Sequence, residues 1–186
     1  RRINGTPETI TATNVYDKLN RVILTTYPDN SSTSTLYNAI GKVASSTDQA
    51  GHTGSITYDN QGQLLSITLP DSSTASSTYD AEGHTLTSVD QLGHITSFQY
   101  DAVDRLIKTI APDNSFTTTT YDAIGRVVNK IDALGHTTTT TYDVLNRQIK
   151  VIFADNTFTS TTYDQLGRRI ASTDQAGKTT HFDYDA

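Results

Sequence analysis

The sequence predicts an all-β protein built from tandem β-hairpins in one continuous antiparallel sheet. Three observations carry that expectation. Tyrosine recurs every 21 residues, at Tyr16, Tyr37, Tyr58, Tyr79, Tyr100, Tyr121, Tyr142, Tyr163 and Tyr184, with only Tyr27 outside the series. Turn-forming residues return twice in each period. Between them lie short runs rich in Thr, Ile, Val and Tyr, residues that favour extended backbone. A fixed period near 20 residues marks a repeat architecture, in which each copy leans on its neighbours and function belongs to the assembled surface.

Each tyrosine opens the first turn of its repeat. The four residues that follow read Asp-x-x-Gly or a close relative: Asp17 to Asn20, Asn38 to Gly41, Asp59 to Gly62, Asp80 to Gly83, Asp101 to Asp104, Asp122 to Gly125, Asp143 to Asn146 and Asp164 to Gly167. The first position is Asp or Asn, whose side chain accepts from the backbone two residues on. The fourth is Gly, Asn or Asp, which best tolerate the left-handed conformation. Together these predict a type I turn followed by a left-handed residue in a bulge.

A second turn follows ten residues later in two alternating forms. One is Pro28-Asp29-Asn30, Pro70-Asp71-Ser72, Pro112-Asp113-Asn114 and Ala154-Asp155-Asn156; the other is Asp48 to Gly51, Asp90 to Gly93, Asp132 to Gly135 and Asp174 to Gly177. The sequence period is therefore 42 residues, while the structural period is 21. Ser72 is the exception to Gly or Asn at the left-handed place.

Two strands of about seven residues, about 23 Å long, are expected in each repeat. The first carries an aliphatic row seven residues past each tyrosine: Ile23, Ala44, Leu65, Leu86, Ile107, Val128, Ile149 and Ile170. Alternation extends the row in Leu65, Ile67, Leu69 and in Ile149, Val151, Phe153, so one face should be apolar. The second strand is nearly all Ser and Thr, as in residues 137–141, and suggests a broad uncharged polar face. Eight repeats give about 16 strands, too wide to stay flat, so the sheet is expected to curl into a spiral wall with its tyrosines stacked in a row.

Composition narrows the function classes. The chain is apolar at 34% and charged at 18%, poor in core-forming residues yet not disordered in type. The net charge of −6 argues against nucleic acid. Cysteine is absent, which excludes disulfides and thiolate metal sites. No apolar run reaches the length of a membrane span, and Arg1-Arg2 leads into no export signal.

Repetition also argues against a catalytic, cofactor or metal site, and none is expected. His52, His94 and His136 share one position 42 residues apart, about 19 Å at four strand spacings, too far for a common metal ion. His84 and His181 lie elsewhere in the repeat. The turn aspartates lack the alternating oxygen pattern of a calcium loop, and no Gly-x-Ser-x-Gly context supports a nucleophile.

The hexapeptides Tyr121-Asp122-Ala123-Ile124-Gly125-Arg126 and Tyr163-Asp164-Gln165-Leu166-Gly167-Arg168 resemble the YD repeat of the Rhs family. The likeness runs from about Tyr16 onward in eight copies. The Arg position holds Arg21, Arg105, Arg126, Arg147 and Arg168, and departs to Lys42, Gln63 and His84. The resemblance implies a β-sheet spiralling into a hollow shell that encloses a toxin or other polypeptide, in a secreted or cell-surface bacterial protein. It implies no enzyme. Residues 1–186 are then one array of eight repeats with partial repeats at both ends, a fragment of a larger shell. Its partners would be the remainder of that shell and the enclosed polypeptide, with unpaired strand edges inviting self-association. The alternative is an extracellular carbohydrate-binding or adhesion module that stacks glycans on open tyrosine faces.

Overall fold

The computed structural model describes residues 11–185, together with the backbone of Arg2–Ile3 and Thr6–Pro7. The chain divides into two compact halves after Ile95. The first half contains the short pair β1 (Arg2–Ile3) and β2 (Thr6–Pro7), then β3 (Thr13–Tyr16), β4 (Val22–Thr26), β5 (Ser32–Tyr37), β6 (Val43–Thr47), β7 (Thr53–Tyr58), β8 (Leu64–Thr68), β9 (Thr74–Tyr79) and β10 (Thr85–Val89). The second begins in β11 (Ile95–Tyr100) and continues with β12 (Leu106–Ile110), β13 (Phe116–Tyr121), β14 (Val127–Ile131), β15 (Thr137–Tyr142), β16 (Gln148–Ile152), β17 (Phe158–Tyr163), β18 (Arg169–Thr173) and β19 (Thr179–His181). No helix occurs among the described residues. Within each half, consecutive strands from β3 onward pair antiparallel, so the tandem-hairpin fold is as the repeat predicts.

The turns follow from their residues. In the first, Asn20 N–H donates to Asp17 O at 3.0 Å and Asp17 N–H donates to Arg21 O at 2.9 Å. This is a type I turn closed by a bulge. The fourth turn residue has positive φ in both turn series, including Asn146 at 65°, Gly125 at 89° and the exceptional Ser72 at 68°.

Strand length departs from expectation. The strands of the regular repeats are five and six residues long, not seven. The outer backbone bond of each turn draws one residue past the left-handed position into the connection, as in Asn38 to Lys42. A second departure is a register shift at each tyrosine of the 21-residue series from Tyr16 to Tyr163. Tyr58 pairs with Leu64 while Thr57 pairs with Ser66, leaving Leu65 as the extra residue of a β-bulge. Tyr142 with Gln148 and Thr141 with Lys150 leave Ile149 in the same role. The aliphatic row is therefore the bulge row, opposite the tyrosines.

No described residue is buried. Each half is thus a sheet without a second layer over it, and its partly covered side chains are shielded by neighbours along the sheet. The expected all-polar face is not found. Thr138 pairs with Lys130 and Thr140 with Val151, whereas Thr139 pairs with Asn129 and Ile152. Alternation divides the threonine run 137–141 between both faces, so hydroxyls line each side.

Candidate functional site along the repeat ladder

The tyrosine turn positions its own aspartate. Asp17 Oδ1 accepts from the backbone N–H of Leu19 at 2.9 Å and of Arg21 at 3.0 Å. Its Oδ2 accepts from Arg21 Nε at 2.8 Å. Asp122 repeats the pattern with Ile124, Arg126 and Arg126 Nε, and Asp164 receives Arg168 Nε at 2.7 Å.

Held at that end, the arginine reaches into the next repeat. The Arg21 guanidinium lies 4.1 Å from the Tyr37 ring centre, and its Nη1 donates to Gly41 O at 3.2 Å. Arg126 lies 4.6 Å from the Tyr142 ring and donates to Asn146 Oδ1 at 2.8 Å. Arg147 covers Tyr163 at 4.2 Å and Arg168 covers Tyr184 at 4.8 Å. The tyrosine answers in the other direction: Tyr142 O–H donates to Val127 O at 2.9 Å, and Tyr121 O–H donates to Leu106 O at 3.0 Å.

The rings expected to stack on one another are therefore interleaved with guanidinium groups. A cation over an aromatic face contributes about 0.5–1 kcal/mol at exposed sites. Two of the departures from arginine, Lys42 and Gln63, keep the link. Lys42 Nζ donates to Gly62 O at 2.5 Å and lies 5.0 Å from the Tyr58 ring, and Gln63 Nε2 donates to Gly83 O at 3.0 Å. Lys42 and Gln63 share with arginine a donor long enough to bridge two turns. Sequence reading recognised the position but missed this role, because the acceptor is a backbone carbonyl and leaves no mark in residue identity.

This chemistry predicts a graded series. In the full chain, Arg126→Ala should lower unfolding stability by about 1–2 kcal/mol, through the lost ring contact and cross-repeat bond. Arg126→Gln should recover about half of that loss, as Gln63 does the same work naturally. Urea unfolding midpoints of the two variants check this; equal losses would remove the bridging role.

The aspartates also set the pH response. Arg105 holds the Asp101 carboxyl below the usual carboxylate range, first by its guanidinium bond. For Asp17 the first cause is the Arg21 backbone N–H, then its guanidinium. The Ser31 hydroxyl lowers Asp29, and the Ser73 hydroxyl lowers Asp71. With folded values below unfolded ones, stability is complete above about pH 4 and is lost as pH falls through the lowered values. Melting temperature should be flat from about pH 7 to 5 and fall steadily below about pH 4.

The repeated histidines stand singly. Nδ1 of His52, His94 and His136 faces the carboxylate of its own turn, Asp48, Asp90 and Asp132, at 3.0, 2.8 and 2.9 Å. No group of three or more metal-ligating side chains occurs among the described residues. Aliphatic side chains cap the tyrosine turns and remain exposed: Leu19, Ile40, Val103, Ile124, Leu145 and Leu166. Their recurrence at the third turn position was legible in the repeat but gave no sign of their exposure.

The RHS repeat family model matches residues 37–74, 79–115 and 121–157. No curated protein matches the chain. Among solved structures, a TcdB2-TccC3 complex lacking its hypervariable C-terminal region aligns at 16% identity and TM-score 0.60, over 94% of this chain and 10% of that one. The Photorhabdus luminescens Tc holotoxin pore with the mutation TccC3-D651A aligns at 24% identity and TM-score 0.54, over 81% of this chain and 9% of that one. The chain thus spans about a tenth of the length of these structural relatives, and the likeness is one of fold.

Proposed function

Because this chain belongs to the RHS repeat family, we propose that it is a non-catalytic segment of a shell wall that encloses or presents a polypeptide. The observation that carries this reading is the ladder itself. Within each half, a long donor of one repeat reaches the turn of the next, as Arg21, Gln63 and Arg126 do, and the tyrosine donates back, as Tyr142 does, an arrangement suited to extending a surface. The likeness to chains of Tc toxin assemblies supports it. In this reading the sheet curls as its twist and bulges dictate. The partners are the rest of the shell and the enclosed polypeptide, and the setting is a secreted or surface-exposed bacterial protein.

The tyrosine row is a poor glycan platform, since guanidinium groups lie over Tyr37, Tyr121, Tyr142 and Tyr163. Electron microscopy of the parent protein tests the proposal. A hollow particle with an inner polypeptide protected from protease is the expected result. A rod, or an open strip with every segment equally digestible, would overturn it.

A further inference from the structure

One stripe of the second half breaks the hydroxyl pattern of the strands. Ile110 pairs with Phe116, and Ile152 pairs with Phe158. Ile131 pairs with Thr118 on one side and with Thr137 on the other, and Thr139 pairs with Ile152. Strand alternation therefore sends Ile110, Phe116, Ile131, Ile152 and Phe158 to one face. They run across β12 to β17, at the strand ends nearest the second turns. Phe116 is 45% exposed and Phe158 40%, and the three isoleucines are only partly covered.

The repeat supplies its own comparison. Two 42-residue periods earlier, the same five positions hold Thr26, Ser32, Thr47, Thr68 and Thr74. There Thr26 pairs with Ser32 and Thr68 with Thr74, in the same register. Hydroxyl side chains thus serve the hairpin, and the apolar set needs another account. A sheet ordinarily buries an apolar face against a second layer, yet no described residue is buried.

Charges flank the stripe unequally. On its tyrosine side, Lys108 Nζ lies 4.2 Å from the Phe116 ring centre and Lys150 Nζ lies 4.3 Å from that of Phe158. On its other side the sheet edge carries Asp113 and Asp155 in the turns of the same two hairpins, with Asp132 between them beside His136. Across the face the order is cation, apolar, anion. A half-turn about an axis along the stripe lays apolar on apolar and sets the lysines of each copy opposite the aspartates of the other.

We propose that a second copy of this chain docks face to face on this stripe. The eight strands β11 to β18 give a face about 38 Å wide and about 17 Å deep at ordinary strand spacings. Two such faces cover about 1,300 Å², inside the range of about 1,200–2,000 Å² for stable interfaces. The proposal is independent of the shell reading, and its failure would leave that reading intact.

Sedimentation equilibrium of the full chain from about 1 to 300 μM tests it. The expected result is a dimer that forms at roughly 10–100 μM, the weak end for an interface of this size. Phe116→Thr with Phe158→Thr installs a residue the first half already carries in this register, and should weaken association about tenfold or more. Urea unfolding confirms that this variant folds. Lys108→Glu with Lys150→Glu, at exposed positions, should weaken the dimer several-fold at low salt and less at high salt. A strict monomer at 300 μM would overturn the proposal, as would an open-ended series of polymers, since a two-fold face contact closes at two. A dimer unchanged by both double variants would overturn it too, and would place the contact at the strand edges.

Discussion

Tyr142→Ala should lower the unfolding stability of the full chain by about 2 kcal/mol, and Tyr142→Phe by about 1 kcal/mol. The Phe variant removes only the bond in which Tyr142 O–H donates to Val127 O at 2.9 Å. The Ala variant also removes the ring beneath Arg126, whose guanidinium lies 4.6 Å from its centre. Full truncation of a buried aromatic costs about 3–5 kcal/mol; Tyr142 is half-buried, so roughly half applies. Tyr16, at 50% exposure, provides the contrast; Tyr16→Ala should cost less than about 1 kcal/mol. In a repeat protein the nearest-neighbour terms carry much of the stability. An interior rung should therefore matter more than an outer one. Urea unfolding of the three variants checks the order. A double cycle with Arg126→Ala should give a coupling of about 0.5–1 kcal/mol. Zero coupling would show that ring and guanidinium merely lie near one another.

The turns were almost fully legible, because their constraint is local. A positive φ at the fourth position admits few residue types, and the sequence places Gly, Asn or Asp there in every tyrosine turn. Strand length was less legible, since the bond that lengthens the connection joins two backbone groups, as in Asn38 with Lys42. The bulge at Leu65 or Ile149 was hidden for a related reason: an aliphatic residue fits a bulge and a regular strand equally well. Stacked tyrosines were a fair expectation from the 21-residue spacing. What the spacing did not reveal is that Arg21 or Arg126, five residues past one tyrosine, is long enough to cover the next. The threonine run 137–141 misled differently. Its uniform composition suggested a uniform face, but a strand sends alternate residues to opposite sides whatever they are.

Gly135→Val should destabilise the chain by about 2 kcal/mol, and Gly135→Asn by much less, about 0.5 kcal/mol or below. Gly135 has φ of 83°, and a Cβ placed there would meet nothing within 4 Å. Crowding is therefore absent, and the whole cost comes from forcing a β-branched residue into the left-handed region. Asparagine tolerates that region, as Asn30, Asn114 and Asn156 do in the alternate second turns at φ of 65°, 65° and 64°. Gly62→Val should cost more than Gly135→Val. Its Cβ would lie 3.4 Å from Lys42 Cε and 3.5 Å from Ile40 Cδ1, so it would disturb the link to the preceding repeat as well. Thermal unfolding of the three variants separates the two contributions: the difference between the valines measures the inter-repeat contact, and the difference between Val and Asn at position 135 measures the turn. If Val and Asn at 135 proved equal, the left-handed residue would not be what fixes the turn, and the physical reading of the Asp-x-x-Gly motif would have to be abandoned.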